Sequence, residues 1–336
     1  MKINIGIIGG AGYGGGELIR ILLNHPFANI AFVHSKSQAG RPVCSVHTDL
    51  LGDTDLVFSG DDIQSLLSVE PPHDETADVL FLCSGHGESA KFMADHDISD
   101  NTVVIDLSTD FRDSSDGSEL HDFVYGLPEL QRTRIREASR IANPGCFATS
   151  IQLALLPLAN AGLLTDAVHV SAVTGSTGAG QALVPTTGFT WRNNNLSVYK
   201  AFTHQHLGEI RQTLTQLQAS FDHPINFVPY RGDFTRGIMA NVYTAYSGSL
   251  ADAKALYASY YADHPFTHLS DAPIDLKQVV NTNKCLLHLE THDGQLLITS
   301  VIDNLTKGAS GQAVQNMNLL FGLPEDTGLR LKAVAF

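Results

Sequence analysis

Thiols are scarce in this chain: four cysteines, Cys44, Cys83, Cys146 and Cys285, are scattered through 336 residues with no CxxC pair and no metal spacing. That pattern speaks against a disulfide framework and against a bound metal, and it suits reduced thiols in the cytoplasm. Long apolar runs are missing too, and none approaches the roughly 20 residues that cross a bilayer. Positive charge is in deficit, with 21 Lys and Arg against 35 Asp and Glu. A formal net charge of −14 argues against nucleic acid or an anionic membrane as partner. Met1-Lys2-Ile3-Asn4 leads straight into a strand-like run, without the three regions of a secretory signal. Neither an internal repeat nor a low-complexity linker is visible. The length exceeds one usual core and implies two domains. An anionic small substrate would have to be met by local Arg, Lys and backbone donors.

What is present begins at residue 3. Ile3 to Ile8 is a short β-branched run that passes into Gly9-Gly10-Ala11-Gly12-Tyr13-Gly14-Gly15-Gly16, and a helical pattern follows over Glu17 to Leu23, ending at Asn24-His25-Pro26. Gly9, Gly12 and Gly15 have the spacing of a nucleotide-binding βα turn, where the chain turns sharply, approaches a pyrophosphate and packs its helix on the strand. The second strand, Ile30 to His34, runs into Ser35-Lys36-Ser37 rather than an Asp or Glu. An acid there would hold the ribose diol of NAD, whereas hydroxyls and a cation suit the 2′-phosphate of NADP.

Strand-like runs at Val79 to Leu82 and Val103 to Leu107 continue the alternation with helices, which predicts a mostly parallel sheet. Cys83-Ser84-Gly85-His86-Gly87-Glu88 forms a polar turn at the carboxyl edge where ligands gather in such sheets. Beyond residue 163 longer β-rich segments at 168–173, 241–246 and 296–301, with helices around 206–220 and 250–262, read as an α+β domain with a mixed or antiparallel sheet. A last helix over Ala309 to Phe321 is expected to return to the first domain beside the cofactor. The predicted division is an NADP-binding Rossmann domain over 1–147, completed by 304–336, and a catalytic α+β domain over 148–303.

Asn143-Pro144-Gly145-Cys146 places a thiol after a rigid turn, at the mouth of a helix read from Ile151, Leu155 and Leu158, with Gly162 as its stop. Unpaired cysteines are commonly buried core residues; the turn favours a nucleophile. Helix-end N–H groups would favour the thiolate by about 0.3–1 kcal/mol. That is less than the roughly 1.36 kcal/mol of one pKa unit, so a partner base is needed. The candidates are His204 and His206 in Thr203-His204-Gln205-His206, which could also be an exposed pair or, least well, a metal pair without a third ligand. Asn143 and the Cys146 N–H are the nearest donors for an oxyanion.

Together these segments resemble one family. Gly9 to Leu18, Asp106-Leu107-Ser108-Thr109-Asp110-Phe111-Arg112, Val124 to Glu129, Asn143 to Cys146, His204-Gln205-His206 and Asp303 to Ala309 are similar, in order and over nearly the whole chain, to the N-acetyl-γ-glutamyl-phosphate reductases, kin of aspartate-semialdehyde dehydrogenase. The resemblance implies a Rossmann NADP(H) domain, a second α+β domain that also mediates assembly into a homodimer or homotetramer, and reduction of an acyl phosphate to an aldehyde through a Cys146 thioester in arginine biosynthesis. It implies His206 as acid/base, His204, Arg112 and Glu209 toward the substrate, and Tyr13, Gly14, Ser176, Gly178 and Asn304 toward the cofactor. Gly14, Thr177 and Gln205-His206-Leu207-Gly208 depart from the family's usual Thr, Ser and Arg-His-x-Pro. An aspartate-semialdehyde-type reductase and a non-catalytic NADP sensor are the two alternatives.

Overall fold

The computed structural model describes residues 2–68, 76–112 and 122–335. It divides into two compact units: Met1–Pro144 with Ala309–Arg330, and Gly145–Gly308 with Leu331–Phe336.

The first unit holds β1 (Ile3–Ile8), α1 (Tyr13–Leu23), β2 (Ala28–His34), β3 (Phe58–Ser59), α2 (Gln64–Ser68), β4 (Val79–Leu82), α3 (Glu88–Asp95), β5 (Val103–Asp106), β6 (Val124–Tyr125), α4 (Pro128–Arg136) and β7 (Arg140–Ala142). Its seven strands pair in the order β3-β2-β1-β4-β5-β7-β6, every pair parallel. β4 is buried along its whole length, as expected of a strand covered on both faces. The order reverses between β1 and β4, so the glycine turn and the Cys83–Glu88 turn leave the same edge of the sheet, where ligands bind in open α/β sheets.

The second unit holds α5 (Cys146–Asn160), β8 (Val168–Thr174), α6 (Phe189–Arg192), β9 (Ser197–Val198), α7 (His206–Leu217), β10 (Ile225–Arg231), β11 (Ile238–Ala245), α8 (Leu250–Tyr261), β12 (Thr267–Leu269), β13 (Cys285–His292) and β14 (Gln295–Ile302). The sheet runs β12-β13-β14-β11-β8-β10-β9 and is mixed, with β8·β10 and β12·β13 parallel and the other pairs antiparallel. Alternate residues of β8, namely Val168, Val170, Ala172 and Thr174, are buried, the period-two pattern of a strand with one core face. From Phe147 to Ala159 every residue of α5 is buried, so this helix is core on all sides. Pro157 within it cannot donate to the Leu153 carbonyl. The Tyr261 hydroxyl on α8 donates there instead, and that of Tyr257 donates to the neighbouring Ala154 carbonyl.

The boundaries differ from those expected. Cys146 and Phe147 belong to the second unit because the Gly145 N–H is bonded within it. Residues 304–308 also stay there, since buried Asp303 takes the N–H groups of Leu305 and Thr306 on Oδ1 and its carbonyl takes that of Gly308. The return to the first unit is the helix α9 (Gly311–Leu320), shorter than the expected 309–321, and it is preceded by a wide turn over Thr306–Ser310. After Arg330 the chain rejoins the second unit, where Lys332 O accepts from Asn281 and Val334 N–H donates to Val280 O. Met1 and Phe336, included in the expected first domain, lie outside the described residues.

Candidate active site

Gly145 is the extended N-cap of α5 and supplies no side-chain cap, which leaves the first helical N–H groups beside half-buried Cys146. The Gly145 N–H donates to Glu209 Oε2 at 2.9 Å. The other oxygen of that carboxylate lies 3.9 Å from His206 Nε2, one turn away on α7. His204 stands just before α7, and its Nδ1 accepts the His206 backbone N–H at 3.2 Å. That bond leaves the His204 proton on Nε2. Burial first, and His206 next, push the His204 imidazole down to about 3, so it is a neutral donor. The two rings lie 4.6 Å apart and both meet the edge or face of Phe147, at 5.5 and 6.3 Å. Among the described residues no group of three or more His, Cys, Asp or Glu is placed to hold a metal.

The wide turn at 306–310 closes on the thiol-bearing residue. A Cβ on Gly308 would stand 2.8 Å from the Cys146 Cβ, closer than carbon atoms pack. Asp303 anchors this turn and receives Arg236 through Nε at 3.0 Å and Nη2 at 3.2 Å. The Asn304 carboxamide is engaged within the second unit at both ends, accepting from Gly237 N–H at 2.7 Å and donating to Thr177 Oγ1 at 3.0 Å. Ser176 and Gly178 lie in the single turn of helix that contains Thr177.

In the first unit the glycine turn has the dimensions of a cradle. Gly9 adopts φ +76°, and a Cβ there would stand 2.9 Å from the Ser84 backbone nitrogen. Gly15 approaches so closely that its Cβ would fall 2.6 Å from the Gly10 Cα, while Gly12, the N-cap of α1, has open space and no side-chain cap. Gly14 is bounded only by Ser310, whose hydroxyl donates to the Gly14 carbonyl at 2.8 Å and ties α9 to the turn. Tyr13 is exposed at the helix start. His47 Nε2 lies 2.7 Å from Gly10 O and braces the turn from 37 residues away, a support with no local sequence signal. These residues fit a dinucleotide pyrophosphate: backbone donors at a helix start, reached through glycines.

At the end of β2, Ser35 is buried with its N–H on Ser59 O, and Ser37 follows in the same short turn. The exposed Lys36 ammonium lies 3.3 Å from Asp61 Oδ2, while His34 Nε2 lies 3.2 Å from Oδ1. His34 first and Lys36 second hold the Asp61 carboxyl below its ordinary range. Strand two lacks an acid in sequence, but the fold brings one from beyond β3.

Arg112 is buried and donates from Nη2 to Leu107 O at 2.7 Å. Asp110 instead receives the Gly87 and Ala90 N–H groups at the start of α3; Asp113, the other expected ion partner, lies outside the described residues. The Asn143 carboxamide donates to Ala309 O and accepts from Asn316, both at 3.1 Å, which leaves one N–H of its Nδ2 beyond these bonds. All four cysteines are free. Burial, with a smaller contribution from Asp106, pushes the Cys83 thiol far above its ordinary range, and Cys285 is buried.

Comparison with known proteins agrees along the whole chain. The family model for the semialdehyde dehydrogenase NAD binding domain matches residues 4–138, and that for the semialdehyde dehydrogenase dimerisation domain matches 146–304. An N-acetyl-gamma-glutamyl-phosphate reductase from Christiangramia forsetii is 58% identical over 334 residues, 99% of this chain and 100% of its own. One from Parabacteroides distasonis is 56% identical over the same shares. Of solved structures, aspartate semialdehyde dehydrogenase II from Vibrio cholerae, complexed with ASA, matches with a TM-score of 0.73 at 18% identity, over 96% of this chain and 99% of that one. An aspartate semialdehyde dehydrogenase with NADP from Candida albicans matches with a TM-score of 0.68 at 14% identity, over 96% and 99%. The solved structures establish the fold, and the close relatives narrow it: this chain belongs to the N-acetyl-γ-glutamyl-phosphate reductase family of semialdehyde dehydrogenases.

Proposed function

We propose that the chain catalyses NADPH-dependent reduction of N-acetyl-γ-glutamyl phosphate to N-acetylglutamate 5-semialdehyde, with release of phosphate, as a step of arginine biosynthesis in the cytoplasm. The observation that carries this reading is the Glu209 carboxylate, which joins the residue preceding Cys146 to His206, in a chain 58% identical to a reductase of that name.

The Cys146 thiolate attacks the acyl carbonyl, and the C–O bond to phosphate breaks to leave a thioester. Bound in the cradle formed by Gly9, Gly12, Tyr13, Gly14 and Gly15, with Ser35, Lys36 and Ser37 toward the 2′-phosphate, the nicotinamide cofactor supplies a hydride. Collapse of the resulting thiohemiacetal breaks the C–S bond, frees the aldehyde and returns the sulfur to Cys146. His206, oriented by Glu209, exchanges the proton with thiol and oxyanion. Neutral His204 donates a hydrogen bond to the substrate, and the Cys146 N–H and remaining Asn143 N–H stabilise the oxyanion. Ser176, Gly178 and Asn304 line the second unit's share of the cofactor site, Arg112 holds a substrate anion, and the family's dimerisation domain supports a homodimer or homotetramer.

The test is phosphate-dependent reduction of NADP with N-acetylglutamate semialdehyde and, separately, aspartate semialdehyde. Turnover of the first alone is expected. Turnover of the second alone would assign the chain to the aspartate-type reaction, and turnover of neither, with NADPH bound, would leave a cofactor sensor.

A further inference from the structure

Behind the histidines the second unit carries an arginine without a counter-ion. Arg231 ends β10, its guanidinium carbon 4.5 Å from the centroid of the Tyr199 ring, a cation–π distance. Tyr199 in turn meets the His204 ring edgewise at 5.8 Å, so arginine, tyrosine, His204 and Phe147 form one continuous series that ends beside Cys146. The backbone of this series is held firmly: Tyr199 N–H donates to Pro229 O at 3.1 Å, and Arg231 O accepts from Arg192 Nη1 at 2.7 Å. Arg236, on the same side of the sequence, is fully engaged by Asp303. Arg231 has no carboxylate partner among the described residues, and its buried Nε has no hydrogen-bond partner.

A partly buried guanidinium without a counter-charge is costly, because its desolvation is not offset by Coulomb attraction. In a protein of net charge −14 local acids are plentiful, yet none is supplied here. Burial, reinforced by the neighbouring Cys146 thiol, pushes the Tyr199 hydroxyl up to about 12, so it stays a hydrogen-bond donor near neutral pH. A planar cationic fork beside a phenolic donor matches a carboxylate or phosphate oxygen pair.

We infer that Arg231, stacked on Tyr199, binds an anionic group of the substrate, a carboxylate or the phosphate, at the Cys146 site. This rests on the proposed reaction for its substrate, but anion binding at Arg231 can be measured without turnover. The test uses the full-length enzyme in the reverse direction with wild type, Arg231→Met and Arg231→Lys. A roughly 10- to 100-fold rise in KM for the semialdehyde in Arg231→Met, with KM for NADP unchanged and partial recovery in Arg231→Lys, assigns the carboxylate. The same rise confined to KM for phosphate assigns the phosphate. In parallel, inorganic phosphate and N-acetylglutamate are each tested for slowing iodoacetamide labelling of Cys146, read by peptide mass. Protection present in wild type and lost in a folded Arg231→Met supports the anion site even if the semialdehyde is not turned over. Unchanged KM values and unchanged protection in a variant of normal melting temperature overturn it while leaving the proposed reaction intact. If Arg231→Met fails to fold, Arg231→Lys decides by the same readings.

Discussion

Gly145 and Glu209, 64 residues apart in sequence, share a 2.9 Å hydrogen bond from the peptide N–H before Cys146 to a buried carboxylate that also faces His206. Glu209→Gln keeps an acceptor for Gly145 but removes the charge that favours protonated His206. We expect kcat to fall on the order of 10²-fold with KM little changed, and the acid limb of the pH–rate profile to move. A pH profile of kcat identical to wild type would separate Glu209 from the proton path.

His206→Asn should lower kcat by about 10²–10⁴-fold and slow alkylation of Cys146 near neutral pH, whereas His204→Asn should mainly raise KM. His204 adds a stability signature. Its folded pKa of about 3 lies below the roughly 6.5 of an unfolded histidine, so between these values the unfolded chain binds the proton and the native one does not. Stability therefore rises with pH across that window and is lost on acidification through it. His204→Asn should lose less melting temperature than wild type between neutral pH and the acid end. Equal losses would place the imidazole in water.

Gly308 leans on Cys146 so closely that an added Cβ would fall 2.8 Å from the Cys146 Cβ. Gly308→Ala should displace the thiol and cost kcat about 10²-fold, since misplacement near 1 Å has that effect, while NADPH affinity is retained. Cys146→Ser should abolish turnover altogether with the cofactor still bound; substantial activity in it would exclude the thioester.

Lys36 and Asp61 form an exposed pair at 3.3 Å, worth little to stability. Lys36→Ala should weaken NADPH much more than NADH, read as Kd by fluorescence titration. Asp61→Asn frees the ammonium and should leave NADPH binding as strong or stronger. Parallel losses for both cofactors in Lys36→Ala would move the 2′-phosphate elsewhere.

Tyr261 donates to the Leu153 carbonyl that Pro157 leaves without its helical N–H. Tyr261→Phe should cost about 1–3 kcal/mol by orphaning a buried acceptor, and clearly less in a Pro157→Ala background, where the alanine N–H restores the helical bond. Equal costs in both backgrounds, from denaturant titration, would break the link.

Short-range patterns were legible. The strand, glycines and helix of β1 to α1 lie within 21 residues, and each requirement there is local: β-branching, freedom at positive φ, and an apolar helical face. The helix start at Cys146 and the alternation of β8 are equally local. The reading of strand two captured Ser35 and Lys36 but not Asp61, because no pattern within β2 reports what the end of β3 delivers. Arg231 and Tyr199 were missed because β10 reads as an ordinary strand and its significance comes from pairing with β8 and β9.

The amino-acid sequence by itself determined the type and order of the main elements, the cradle for a dinucleotide, the position of the thiol and the family. Tertiary structure alone decided that Glu209 reaches Gly145, that Gly308 closes on Cys146, that Tyr261 satisfies the acceptor opened by Pro157, and that Arg231 has no acid beside it. The physical reason is range. Backbone preference and amphipathic period act over a turn or two of chain, whereas hydrogen-bond satisfaction, close packing and charge compensation depend on which distant segments share a few ångströms of space.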